Sequence, residues 1–291
     1  MKGGKEKMVS TMNEKIGEVF SIAEDNPPIE ACTISKTVLR GANDITYFSL
    51  APQTDISPEI HPYHKFLILA EGSLEVYGQD GSSWTDDGSK EKAMTGTETG
   101  TGAEIRTETG TDDIYTGAGA HSKTSSCIKT SSCNKISSYK KVDFCKTMYY
   151  GDSMVTAIDV PLGMRSAEGA IYTEITIRRE DIMNEAIKAG EVFKLADLVP
   201  YAKDRIVNMD VVHNDKMKFV VMAFDEGTGL TEHAAPGEAL VFALDGEAVI
   251  GYEGKEHPIQ AGENFHFAKG GLHTVQATKQ FKMALLLTLE Q

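Results

Sequence analysis

Residues 216–254 read KMKFVVMAFDEGTGLTEHAAPGEALVFALDGEAVIGYEG, and residues 44–78 read DITYFSLAPQTDISPEIHPYHKFLILAEGSLEVYG. Both run through the same series: an apolar run, a loop holding histidine, a second apolar run, an acidic residue near a glycine, and a further run. Upstream of each lies the tetrapeptide GEVF, at 17–20 and at 190–193. Gly17 precedes Gly72 by 55 positions, and Gly190 precedes Gly246 by 56. A chance tetrapeptide carries no such context, so the chain reads as two copies of one folding unit.

The runs are short, rich in Val, Ile, Phe and Tyr, and separated by Gly, Asp, Asn and Pro at intervals of roughly 8–12 residues, the pattern of all-β sandwiches and barrels. Hairpins are predicted over SLEVYGQDGSSWT (73–85) and EAVIGYEGKEHPI (247–259). EDIMNEAIKAG (180–190) reads as a short linking helix stopped by Gly190. The predicted division is an extension over 1–16, a first unit over 17–179 and a second over 180–291.

Residues 86–149 interrupt the first unit. They hold 26 Gly, Ser or Thr, repeat TETGT at 97–101 and 107–111, and repeat KTSSC at 123–127 and 129–133. Such a stretch lacks the apolar content for a core and reads as a long surface insert, a neutral expansion or else a lid or partner-binding segment. Its nine basic and nine acidic residues cancel, so the net charge of −14 lies in the two repeated units.

That charge argues against nucleic acid as a partner, which needs a basic face. Runs such as FVVMAF (219–224) and MALLL (283–287) fall far short of a membrane span and read as buried strands. The start of the chain shows no basic–apolar–cleavage pattern of a leader. Four cysteines are too few for a disulfide scaffold, and a reducing cytoplasm is the simple reading. Cys127, Cys133, Cys145 and His121 lack a paired C-x-x-C spacing and read as free thiols rather than a zinc knot. The lone Trp84 needs no role, and neither a phosphate-binding glycine loop nor a G-x-S-x-G elbow is present.

GTGLTEHAAPGEALVFALDG (227–246) followed by GENFHFAKGGLH (262–273) resembles the two motifs of the cupin superfamily. Gly227, His233 and Gly246 fall in register with the first motif, and Gly262, Gly270 and His273 with the second. The resemblance implies an all-β chain of two jelly-roll barrels in tandem, a bicupin, with the Gly/Ser/Thr-rich insert in the first. Cupins that hold metal present three His and one Glu, or a subset, from facing strands. In this sequence the second His slot is Ala235, the Glu slot Ala239 and the Asn slot Ala277. Only His233 and His273 remain, with His266 as a candidate third metal ligand and Glu232 and Glu238 flanking. The alanines would open space beside His233 and His273 for a small organic ligand.

In the first copy, aligning Gly72 with Gly246 puts Glu59 and His61 in the His slots, Lys65 in the Glu slot and Leu162 in the second-motif His slot. A lysine is a poor neighbour for a cation, so these read as a polar cluster or a solvent-facing set. The first unit is expected to be structural, packing on the second with AIYTEITIR (170–178) at the interface.

Three functions follow from the resemblance and the residues. The first is binding of a small polar or aromatic metabolite in the C-terminal barrel through His233 and His273, lined by Ala235 and Ala239. The second is a metal-dependent oxygenase, isomerase or decarboxylase using a divalent transition metal (Fe, Mn, Ni or Zn) at His233, His273 and His266. The third is an interaction role for the insert. Homodimer formation through the cupin sheets is a further expectation.

Overall fold

The structure, a computed structural model, describes residues 15–78, 125–129 (backbone) and 144–289. Most of the insert, with both TETGT repeats, His121 and Cys133, lies outside the described residues, as does Trp84 before it. The described cysteine side chains, Cys32 and Cys145, are free thiols. Among the described residues no helix is long and apolar enough to cross a membrane.

The chain is all-β, two curled sheets built to one plan. The first unit comprises β1 (Val19–Phe20), α1 (Ile22–Asp25), β2 (Cys32–Leu39), β3 (Ile45–Leu50), β4 (Thr54–Ile60), β5 (His64–Gly78), β6 (Ser125–Lys129), β7 (Phe144–Tyr149), β8 (Asp152–Val155), β9 (Pro161–Ser166) and β10 (Ala170–Ile177). After β11 (Ile182–Met183), the second comprises β12 (Val192–Lys194), β13 (Ile206–His213), β14 (Met217–Phe224), β15 (Gly229–Ala234), β16 (Glu238–Tyr252), β17 (Lys255–Gln260), β18 (Asn264–Phe267) and β19 (Leu272–Thr288).

The duplication is visible strand by strand. β5 pairs with β10 as β16 pairs with β19, and each pair carries a bulge two residues before the glycine, skipping Ala70 and Leu244. At those glycines the long strand crosses from one face of the barrel to the other. Gly72 and Gly246 have φ of +78° and +74°, and a Cβ would lie 2.0 Å from the Gly169 carbonyl oxygen and 1.7 Å from that of Gln280. Only glycine allows both the left-handed backbone and that approach. Gly246→Ala is expected to cost about 3 kcal/mol or more, measured by denaturant unfolding.

The long insert sits at a hairpin. In the second unit β16 turns into β17 through Glu253 and Gly254, both left-handed (φ 48° and 77°), the pairing that suits a two-residue turn. In the first unit the equivalent strand, β5, pairs Gly78 with Phe144. The hairpin predicted over 73–85 therefore finds its second strand only after the insert, in β7. Residues 144–149, assigned to the insert from composition, are a barrel strand. Residues 125–129 add a strand beside β2.

The helix predicted over 180–190 does not form. Ile182 and Met183 pair instead with His213 and Val212. The Asn184 amide donates to the Val211 carbonyl, and its side chain accepts from Ala186. Ile187 is buried in the core and Ala189 bridges to Val155. Asparagine and isoleucine are middling helix formers, and these tertiary partners outweigh the weak local preference. Asp181 fastens the crossing, accepting from Asn43 at 2.8 Å and from Asn214 at 2.7 Å, one asparagine from each unit.

Each unit has its own interior, with Leu67, Leu69, Met154 and Tyr172 in the first, and Val241, Phe265, Phe267 and Met283 in the second. The opposite strand faces pack unit against unit. Ile171, Ile175 and Ile177 of β10 share one core with Val221, Leu240, Phe242 and Leu286. Phe66 meets Phe219 edge to face across it, with centroids 5.3 Å apart. The interface role predicted for 170–178 thus lies in alternate residues of β10, as strand parity requires.

The two GEVF stretches cross over. β1 pairs with β18 of the second unit, and β12 pairs with β8 of the first.

Candidate functional site

β15 and β19 place His233 directly against His273. Their rings lie 4.1 Å apart, tilted by 52°. Each ring turns Nδ1 to a carbonyl two residues earlier: His233 to Thr231 at 2.8 Å, His273 to Gly271 at 3.0 Å. A carbonyl can only accept, so each Nδ1 carries the proton and each Nε2 is left as the basic nitrogen. His273 is buried and stacks on Phe267 at 4.1 Å, whereas His233 is exposed at the rim. Burial lowers the His273 pKa from its ordinary 6.5, with the Gly271 hydrogen bond opposing and His233 adding to the lowering. The result is a close imidazole pair with one ring buried and the other exposed.

Ala235, Ala239 and Ala277 are all buried in the interior beneath it. Ala239 pairs with Phe267, the ring that stacks on His273. The three alanines share one apolar interior with Phe267, Met222 and Met283.

His266 does not join this pair. It lies opposite Leu240 in the β16–β18 register, and Leu240 belongs to the core between the units. Strand alternation therefore turns His266 to the other side of the sheet from Phe265 and Phe267. There it stands 3.8 Å from Glu238. The three-histidine metal set of His233, His266 and His273 is not assembled. Among the described residues no three His, Cys, Asp or Glu side chains group as a metal-holding set. Two imidazoles with alanine in the remaining slots are a short donor set for a divalent transition metal, so the residues present do not fit one.

In the first unit Glu59 faces Leu162 as His233 faces His273, and Lys65 takes the position of Ala239. Glu59 meets His61 at 3.3 Å. His61 lies below its ordinary pKa, chiefly through burial and then through Lys65. Lys65 pairs with Glu174 at 3.4 Å. Sequence reasoning named Glu59, His61 and Lys65 and missed Glu174. Its signal was a lone carboxylate inside the apolar run AIYTEITI.

Residues 220–289 match the family model of the cupin domain. A comparison with curated protein sequences finds no match. Among solved structures, the chain is similar to a cupin 2 conserved barrel domain protein from Leptotrichia buccalis, at 20% identity and TM-score 0.64, covering 96% of this chain and 99% of that one. An oxalate decarboxylase from Lactobacillus farciminis is more distant, at 10% identity and TM-score 0.45, with 97% and 88% covered, too far to bear on function. The Leptotrichia protein spans both units and shares their fold. The match thus lies within the second barrel, and the chain as a whole shares the two-barrel fold of the Leptotrichia cupin protein.

Proposed function

We propose that the C-terminal barrel binds a small metabolite, phenolic or hydroxylated, at the His233–His273 pair. One observation carries this reading: two imidazoles 4.1 Å apart, each with Nδ1 tied to a backbone carbonyl, so that an uncharged ring offers Nε2 as an acceptor. Such a pair suits a ligand that donates hydrogen bonds and lays an apolar face near Phe267. Metal chemistry is not part of the proposal, because the donor set is short.

The test is a panel of small phenols and hydroxy acids followed by thermal shift and by the imidazole NMR signals. A bound member is expected to perturb both rings and to bind about tenfold more weakly to His273→Ala, the loss of one good hydrogen bond. Binding should weaken as pH falls below the ordinary imidazole range, where His273, its pKa lowered by burial, gains a proton and its Nε2 then donates. Equal binding to His233→Ala/His273→Ala would overturn the reading.

A further inference from the structure

The first barrel holds a polar set where the second is apolar. Lys65 and Glu174 turn inward with Leu67 and Tyr172, which share their strand face. Both are only 9% exposed. Their 3.4 Å separation is longer than the roughly 2.7–2.9 Å of a closed charge-assisted hydrogen bond. Two residues before Glu174, Tyr172 is fully buried with its ring stacked on Phe48 at 5.0 Å, and its hydroxyl has no hydrogen-bond partner among the described residues. Glu174 Oε2 is held only by that long ion pair with Lys65 and accepts no hydrogen bond among the described residues.

The fold does not require these groups. By the paired registers, the second unit has Ala239, Leu285 and Met283 at the positions of Lys65, Glu174 and Tyr172. A buried hydroxyl without a hydrogen-bond donor or acceptor nearby and a buried carboxylate oxygen held only by a long ion pair are a standing cost, which phenylalanine or leucine would remove. From the buried pair the set continues outward to His61, next to Tyr63 at 4.9 Å, and to the exposed Glu59. Burial pushes the Glu174 carboxyl up, with Lys65 opposing, and pushes the Tyr172 phenol up as well.

We propose that the N-terminal barrel is a second binding site, taking a small uncharged hydroxycarbonyl compound. The ligand's carbonyl oxygen accepts from the Lys65 ammonium and the Tyr172 hydroxyl, and its hydroxyl donates to Glu174 Oε2. The charge state selects the class. Lys65 and Glu174 balance each other, so a charged ligand would bring a net charge into the interior, whereas a neutral donor–acceptor pair completes the unmet groups. The first unit, expected from sequence to be structural, then carries chemistry of its own, independent of the histidine pair in the second.

Methionine methyl NMR separates the two barrels, because Met154 lies in the first interior and Met222 and Met283 in the second. Titration with hydroxyacetone is expected to shift the Met154 methyl saturably and to leave Met222 and Met283 in place. Acetone, which lacks the hydroxyl, and acetate, which is charged, should each bind about tenfold more weakly. Tyr172→Phe should bind hydroxyacetone about tenfold more weakly at an unchanged or higher melting temperature, since the lost hydroxyl has no protein partner. Lys65→Met/Glu174→Leu, which removes both charges together, should keep its fold and abolish the shift. The proposal is overturned if Met154 does not respond, if acetate acts as well as hydroxyacetone, or if either variant binds undiminished. A response confined to Met222 and Met283 would overturn it while favouring the C-terminal site.

Discussion

Phe219→Ala is expected to destabilise the protein by about 3–5 kcal/mol, the range for deleting a buried aromatic side chain from a packed core. Phe219 is 0% exposed and sits where the two sheets meet. It touches Phe66 edge to face at 5.3 Å and Phe242 at 6.4 Å, so one ring serves both units. The cavity left behind cannot collapse easily, because rigid sheets border it on both sides. A double-mutant cycle with Phe66→Ala should show a coupling of about 1 kcal/mol, as aromatic pairs do. Calorimetry of the wild type should give one transition, since neither sheet keeps its buried face without the other. Two resolved transitions would contradict the shared core.

Lys65→Met alone is expected to cost about 3–5 kcal/mol, because it strands Glu174 as an unpaired buried carboxylate. Side chains at 11% exposure on both partners leave little solvent to screen the orphaned charge. The companion Lys65→Met/Glu174→Leu should recover most of that loss, as buried ion pairs are often replaceable by apolar residues of similar volume. Denaturant unfolding of the two variants checks both statements. If the single substitution were as stable as the wild type, the pair would not be a closed, buried unit.

The fold was legible because repetition and strand chemistry agree. Two glycines 55 and 56 positions after their GEVF stretches mark the same bend, and the structure gives them the same backbone and the same close carbonyl contact. The linking segment misled because EDIMNEAIKAG has helical composition, while its fate is decided by β13, Asn43 and Asn214, which are distant in sequence. The second strand of the 73–78 hairpin was hidden for a similar reason. A composition window cannot show that the last six residues of a Ser/Thr/Gly-rich stretch resume a barrel.

The site was legible in part. Motif spacing put His233 and His273 together, and the registers place them face to face. His266 was undecided because a turn separates it from His273, and parity does not carry through a turn. Its pairing with Leu240 decides the face. Glu174 lies outside either motif, so only the assembled β5–β10 pair brings it to Lys65.

The crossed GEVF strands bear on how the molecule is made. β1 is among the earliest described residues to leave the ribosome, yet its partner β18 is among the last. β1 must therefore wait, unpaired, until residues 264 and 265 have emerged. β12 meets the opposite situation, since β8 is already present when it emerges. A ribosome-bound chain ending before residue 264 should leave Val19 and Phe20 open to protease. A longer chain in which β18 has emerged should close them, which makes β1 a built-in reporter that the second sheet has been made.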